Sequence, residues 1–180
     1  MVKLVDVGKA DAVAEFTHAV PSIDSHWRAL VLFGRNVASY KLGLAHALLE
    51  LGEAQPDLVT LEELAVPFSS HLRRHLATAD KQTTSRGSAF LDACRSRNAG
   101  TLSDEELIES TVRLGFNNVI DAFHVLDGVT TAERFFVDER RINNAIRITD
   151  RLYELVARPD RLALADETES RWSLVEAAWS

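Results

Sequence analysis

Apolar residues recur every three or four positions along most of the chain, which is the period of amphipathic helices. The longest such stripe follows Pro21, where Asp24 or Ser25 suits a helix N-cap, and it continues to Leu51. A helix from that cap to Leu51 would be about 38 Å long and would cross the domain as a strut. The pattern predicts a mostly α fold, a single-domain helical bundle with a long central helix.

Two capping boxes mark the starts of further helices. In each, a hydroxyl residue stands three positions before a glutamate, Thr60 before Glu63 and Ser103 before Glu106. Pro67 either kinks the first of these helices or opens a second one.

The middle of the chain is less regular. Gly115 stands where a left-handed C-cap would end a helix, and residues 80–88, rich in Thr, Ser and Gly, are typical of a loop. Short apolar runs at 135–137 and 146–148 predict one small β-hairpin near 135–148. The order helix, glycine turn, helix, two strands and helix also occurs in a winged helix, which stays open as an alternative.

The last helical pattern carries three large apolar residues on one face, Trp172, Val175 and Trp179. Such residues either pack back onto the domain or seat a following domain, a partner subunit or a self-copy. The predicted organisation has three parts: an N-terminal arm (1–23), a helical core (24–165) and a C-terminal helix (166–180).

Composition narrows the class of protein. A chain of 180 residues, 46% hydrophobic, can bury a core without disulfides or metal staples. The single Cys94 excludes a disulfide framework within the chain, and a net charge of -7 argues against coating nucleic acid by bulk electrostatics. No apolar run is long enough for a transmembrane helix, and charged residues among the first fifteen interrupt any signal peptide. We therefore expect a cytoplasmic protein without a membrane partner.

Lys41 falls in the middle of the apolar stripe, where an unpaired ammonium is unfavourable. It either pairs with a carboxylate from a neighbouring helix or serves a phosphate or another anion. Residues 61–100 are the part of the chain with a small excess of positive charge, a weak signal for nucleic acid. The candidate nucleic-acid-binding residues are Arg35, Asn36, Tyr40, Lys41, Arg73, Arg74, Lys81 and Arg86.

Motifs for catalysis are missing from the sequence. It contains no glycine-rich phosphate loop and no nucleophile elbow. His71 and His75 share a helix face, but Leu72 stands where a zinc protease motif needs glutamate, and no third ligand is identifiable. They are weak candidates for a metal, and we expect neither a catalytic residue nor a cofactor in this chain.

Several strings taken together are similar to a known family. The most characteristic are GRNVASYK at 34–41 and GFNNVIDAFH at 115–124. Shorter matches lie at 27–29, 48–51, 63–68 and 171–179. The chain resembles the N-terminal helical region of bacterial HNH endonuclease-domain proteins, in which a metal-dependent nuclease follows this region.

The resemblance implies an accessory domain without the nuclease part, in which a divalent metal belongs to the missing nuclease. The predicted function is recognition, placing nucleic acid, DNA in the first place, or a partner for a nuclease module, in phage defence or a mobile element. The alternative is a protein–protein interaction module that docks a partner or a self-copy through the C-terminal helix, with Trp172, Val175 and Trp179 as the contact residues.

Overall fold

The computed structural model describes residues 22–34 and 38–180. In these ranges the helices are α1 (Ile23–Leu32), α2 (Tyr40–Gly52), α3 (Leu61–Leu76), α4 (Ala89–Asn98), α5 (Asp104–Ser110), α6 (Val119–Ala122), α7 (Arg140–Asn143), α8 (Asp150–Val156) and α9 (Arg161–Trp179). A π-helix (Thr111–Gly115) continues α5. The strands are β1 (Leu58–Thr60), β2 (Val125–Leu126), β3 (Val129–Thr130), β4 (Phe136–Asp138) and β5 (Ala145–Ile148). The fold is mostly α, as predicted, and residues 1–21 of the predicted arm lie outside the described ranges.

The single helix predicted up to Leu51 is wrong, because α1 ends at Leu32 and α2 begins only at Tyr40. The chain bends at Gly34, where an added Cβ would lie 2.6 Å from the Leu30 carbonyl oxygen and 3.0 Å from Lys41 Nζ. Glycine already weakens a helix by about 1 kcal/mol relative to alanine. Here its lack of a side chain lets the chain turn closely over Lys41.

The central helix is α2. Its residues from Lys41 to Leu49 are all buried, as is Gly52, and the helix packs against α3, α8 and α9. One hydrophobic cluster runs through the described part of the chain and includes Trp27, Phe68 and Trp172. Because α2 has almost no polar face, its apolar spacing does not show where the helix begins. The apolar pattern of α1 therefore continues into α2 across the break at Gly34.

The predicted hairpin near 135–148 is present. Strands β4 and β5 pair antiparallel, with Phe136 opposite Ile148, and α7 lies in their connection. β1 adds to the other side of β5, so the sheet order is β1-β5-β4. A second hairpin, β2–β3, turns at Asp127 and Gly128, both with positive φ. The winged-helix order requires one full helix after the glycine turn. At that place the structure has the four-residue α6 and this hairpin instead.

Both capping boxes form: the hydroxyls of Thr60 and Ser103 accept hydrogen bonds from the backbone N–H groups of Glu63 and Glu106, each at 3.2 Å. Helix α3 continues through Pro67 as one element. The prediction of a left-handed C-cap at 115 is wrong, because that glycine lies inside the π-helix.

The reason for glycine at position 115 is packing. A Cβ there would lie 3.2 Å from the ring of Phe68 and 3.3 Å from that of Phe90. The two rings, which are stacked with centroids 5.6 Å apart, thus fit against the bare backbone. No helix of the described residues combines the length and the apolar character needed to cross a bilayer.

Candidate functional site

A cleft with a volume of about 760 Å³ opens between three parts of the fold. These are the start of α2, the loop that leads into α4, and the segment from Asn117 to Gly128. An isolated antiparallel bridge between Ala38 and Thr83 joins the first two parts. The polar side chains that line it are Tyr40, Lys41, Thr83, Ser85, Ser88, Asn117, Asn118 and Asp127.

Lys41 is buried in the wall of this cleft, with 8% of its surface exposed. Its Nζ donates a hydrogen bond to the carbonyl oxygen of Val125 at 3.1 Å and lies 5.9 Å from the ring centroid of Phe123. Burial lowers the pKa of the ammonium from 10.5 to about 8, and no carboxylate of the described residues opposes that shift. Among the described residues the expected carboxylate partner from a neighbouring helix is therefore wrong, and a backbone carbonyl accepts the hydrogen bond of the ammonium instead.

Lys41→Met is expected to raise the free energy of unfolding by about 1–2 kcal/mol near pH 7. Lowering the pKa from 10.5 to about 8 corresponds to about 3 kcal/mol of destabilisation. Losing the hydrogen bond to Val125 offsets about 1–2 kcal/mol of the gain. Methionine fills nearly the same volume without the charge.

The pH range in which Lys41 lowers the free energy of unfolding follows from proton binding. Between pH 8 and 10.5 the unfolded chain keeps the proton that the folded chain releases, so the destabilisation is complete below pH 8 and disappears towards pH 10.5. Urea denaturation at several pH values measures the difference, and Lys81→Met at an exposed position is the matched control. A Lys41→Met protein less stable than the parent at pH 7 would show that the ammonium is compensated after all.

Hydroxyl and amide groups complete the polar wall. Tyr40 and Ser88 share a hydrogen bond of 2.6 Å between their side-chain oxygens, and Ser88 Oγ also accepts the N–H of Leu91 as the N-cap of α4. Asn117 and Asn118 are exposed, and within the described part of the chain no hydrogen bond holds their amide groups. The wall therefore offers donors and acceptors that a ligand can use.

The charges around the cleft are few. Arg86 is exposed between Ser85 and Gly87, which both line the cleft, whereas Lys81 is exposed earlier in the same loop and lies outside the lining. Neither cation has a carboxylate partner among residues 22–34 and 38–180. Asp127 places one negative charge in the lining. Lys41 and Arg86 against Asp127 thus leave a small excess of positive charge in and next to the lining.

The other predicted nucleic-acid-binding residues lie apart from the cleft. Arg73 Nε donates to Asn98 Oδ1 at 2.8 Å, near the end of α4 opposite to Ser88. That helix has ten residues, so its ends are about 15 Å apart. Arg74 contacts Glu169 at 3.3 Å on α9. Arg35 and Asn36 lie outside the described residues.

Three of the six cations in the predicted basic region, Arg74, Arg95 and Arg97, are paired with carboxylates. Arg95 pairs with Asp80 and Asp92, at 2.8 and 2.9 Å, and Arg97 pairs with Asp104 at 2.6 Å. A count of charges along 61–100 includes Asp80 and Asp92 but not Asp104, and it does not show which charges form pairs. A continuous basic surface is thus not formed by this segment.

His71 and His75, the weak metal candidates, face different neighbours. His71 stacks on His46 with ring centroids 4.8 Å apart and lies 3.2 Å from Glu50. His75 stacks on Trp172 at 3.6 Å, and its Nδ1 lies 2.7 Å from Glu176. In the part of the chain that the structure covers, no group of three or more His, Cys, Asp or Glu side chains could hold a metal ion.

The partner-binding prediction for Trp172 and Val175 is corrected, because both side chains are buried within the domain. Trp172 Nε1 donates to Gln82 Oε1 at 2.8 Å, and Gln82 Nε2 donates to Glu176 at 2.5 Å. Trp179 is partly buried against the same core. The face of α9 that carries the tryptophans holds the domain together and is not a free surface.

No family model matches the chain, and neither a curated protein nor a solved structure is similar to it.

Sequence reasoning identified Tyr40 and Lys41 but missed the groups that face them. Ser88, Asn117 and Asn118 come from other segments, and nothing in their spacing connects them with Lys41. Gln82 was missed as well, although its amide joins α9 to the loop before α4. A local signal existed for one part of the wall, since Asp127 followed by Gly128 is typical of a two-residue hairpin turn.

Proposed function

We propose that this chain is a non-catalytic recognition domain of an HNH-nuclease-type protein, and that its cleft binds a phosphate group of nucleic acid. The observation that carries the proposal is Lys41, a buried ammonium in the wall of a cleft without a compensating carboxylate among the described residues. A buried charge is unfavourable unless a partner neutralises it. An anionic ligand in the cleft supplies that partner.

The surroundings of Lys41 support a phosphate as the anion. The first turn of α4 begins at the cleft, where Ala89 and Phe90 belong to the lining. Free backbone N–H groups at a helix start favour negative charge. Arg86 adds an exposed positive charge between two lining residues, while Asp127 adds a negative charge to the lining. The site thus favours one anionic group over a long polyanion.

The type of protein follows from the strings that resemble HNH endonuclease-domain proteins. Parts of two of them, at 34–41 and 115–124, meet in the lining of the cleft through Tyr40, Lys41 and Asn117 to Val119. On this proposal the domain binds DNA and orients it for a nuclease module that supplies the divalent metal. The proposed setting is the cytoplasm, in phage defence or a mobile element.

Lys41→Met is expected to weaken binding of a short DNA about 10- to 100-fold, because a hydrogen bond to a charged group contributes about 1.5–3 kcal/mol. Fluorescence anisotropy with a labelled oligonucleotide measures the dissociation constant. Lys81→Met, which removes an exposed cation outside the lining, is the matched control and is expected to change the affinity less than threefold.

The salt dependence gives an independent reading. One or two neutralised phosphates imply that affinity falls about 4- to 10-fold between about 50 and 200 mM salt. The parent is expected to show this slope, and Lys41→Met a shallower one. DNA binding that is insensitive to salt, or unchanged in Lys41→Met, would contradict the proposal.

A further inference from the structure

We infer that the cleft takes one unpaired nucleotide and holds it by a terminal phosphate, an inference that rests on the proposed function. The ligand chemistry is a nucleoside with a phosphate monoester. Two sources share it: the phosphorylated end of a nucleic-acid strand, and a free mononucleotide.

The depth of Lys41 argues against the backbone of a duplex. Only 8% of the residue is exposed, so a phosphate must enter the cleft to reach it. A duplex is stiff over about 150 base pairs, and its internal phosphates are tied to the chain on both sides. A terminal phosphate is attached on one side only, and can therefore enter without bending the strand.

The small number of cationic side chains without a carboxylate partner at the cleft also favours a single terminal phosphate. A protein that follows a duplex neutralises about 6–10 phosphates. Here the arginines at 95 and 97 are paired with carboxylates, so the cations left at the cleft are Lys41 in the lining and Arg86 between two lining residues. A terminal phosphate carries a charge of about -1.5 to -2, which a single ammonium and the start of α4 can balance.

The size and amides of the cleft fit a nucleotide. Its volume of about 760 Å³ lies within the usual range for small ligands, about 300–1,000 Å³. Asn117 and Asn118 place two amides in the same lining, and within residues 22–34 and 38–180 neither is held by another side chain. An amide offers a donor and an acceptor to the edge of a base, and the Watson–Crick edge is accessible only when the base is unpaired.

The test compares labelled single-stranded hexamers that differ only in the terminal group: a 5′-phosphate, a 3′-phosphate or hydroxyls at both ends. A blunt duplex with hydroxyl ends, adenosine monophosphate and inorganic phosphate complete the set. Binding is measured by anisotropy for the oligonucleotides and by calorimetry for the small ligands, with the parent, Lys41→Met, Asn118→Ala and Lys81→Met. Thermal melts establish that each variant is folded.

One of the phosphorylated hexamers is expected to bind at least tenfold more tightly than the hydroxyl hexamer or the duplex. Lys41→Met is expected to reduce that ratio to about one, whereas Asn118→Ala weakens both hexamers equally and leaves the ratio unchanged. Lys81→Met changes neither. A purely structural role of Lys41 would not alter the ratio between two ligands that differ by one phosphate.

Equal affinity for the phosphorylated and hydroxyl hexamers would overturn the inference. The proposed function would still stand if Lys41→Met weakened both. Adenosine monophosphate that binds more tightly than either phosphorylated hexamer supports the inference with a free nucleotide as the source, and contradicts strand recognition. Failure of every ligand to bind overturns both the inference and the proposed function.

Discussion

Trp172→Ala is expected to lower the free energy of unfolding by about 3–5 kcal/mol, the usual range for removing a fully buried tryptophan. The side chain has no exposed surface and belongs to the central hydrophobic cluster. Its indole N–H donates to Gln82 at 2.8 Å, and its ring lies parallel to that of His75 at 3.6 Å. The substitution removes the stacking on His75 and leaves a cavity between α9 and α3.

Urea denaturation measures the change, and Leu174→Ala is the matched control. Leu174 lies two residues away on the same helix with 64% of its surface exposed, so we expect a change within about 0.5 kcal/mol. Light scattering on both variants at a temperature where they remain folded is expected to give the parental mass. A loss of less than about 1 kcal/mol together with a change in mass would restore Trp172 to a partner interface.

The face of α9 shows what a helical pattern can and cannot tell. The spacing of Trp172, Val175 and Trp179 correctly indicates that one side of the helix is covered. It does not say what covers it, because a neighbouring helix and a partner subunit present the same apolar surface. The partners of Trp172 lie about 90 residues earlier in the chain.

Local signals located the starts of two helices. Capping boxes depend on side chains three residues apart, and both predicted ones form. The missed hairpin β2–β3 also had a local signal, since Asp127 and Gly128 stand between short β-branched and apolar pairs. The break after Leu32 had only Gly34 to mark it, and tertiary packing against Lys41 gives that glycine its role.

The candidate site was only half predictable. The position of Lys41 in an apolar stripe implied a buried ammonium, which is what the structure has. Whether a carboxylate accompanies it depends on which helices surround α2. The cleft depends on three distant segments meeting, and the bridge between Ala38 and Thr83 is a contact that no periodicity encodes.

Between pH 7.5 and pH 5 the free energy of unfolding is expected to fall by about 4 kcal/mol, because two buried histidines stay neutral in the folded protein. Burial, assisted by the charges of Arg134 and Lys41, lowers the pKa of His124 from 6.5 to about 3. Burial and the neighbouring His71 lower the pKa of His46 from 6.5 to about 4, against the opposing effect of Glu169. The ring of His124 accepts the N–H of Phe135 at 3.0 Å, which the protonated form could not do.

The free energy of unfolding falls on acidification because both rings are bases whose pKa is lower in the folded state than in the unfolded state. At pH 7.5, about one unit above 6.5, these rings are nearly unprotonated in both states and have almost no effect on stability. As the pH falls below 6.5 the unfolded chain binds a proton at each of these two rings, and the folded chain does not. Each ring therefore lowers the free energy of unfolding by about 2 kcal/mol at pH 5. The ordinary pKa values of the carboxyl groups, 3.8 for aspartate and 4.5 for glutamate, lie below this window.

Urea denaturation at intervals of half a pH unit measures the slope, and the variants His46→Gln and His124→Gln assign it. Glutamine can still accept the N–H of Phe135, and it does not titrate. Each single variant is expected to lose less stability on acidification than the parent, by about 2 kcal/mol, and the double variant by about 4 kcal/mol. The slope that remains belongs in part to His71, whose pKa burial also lowers. A double variant as sensitive to acid as the parent would assign the loss to other groups and show that these two rings accept protons inside the fold.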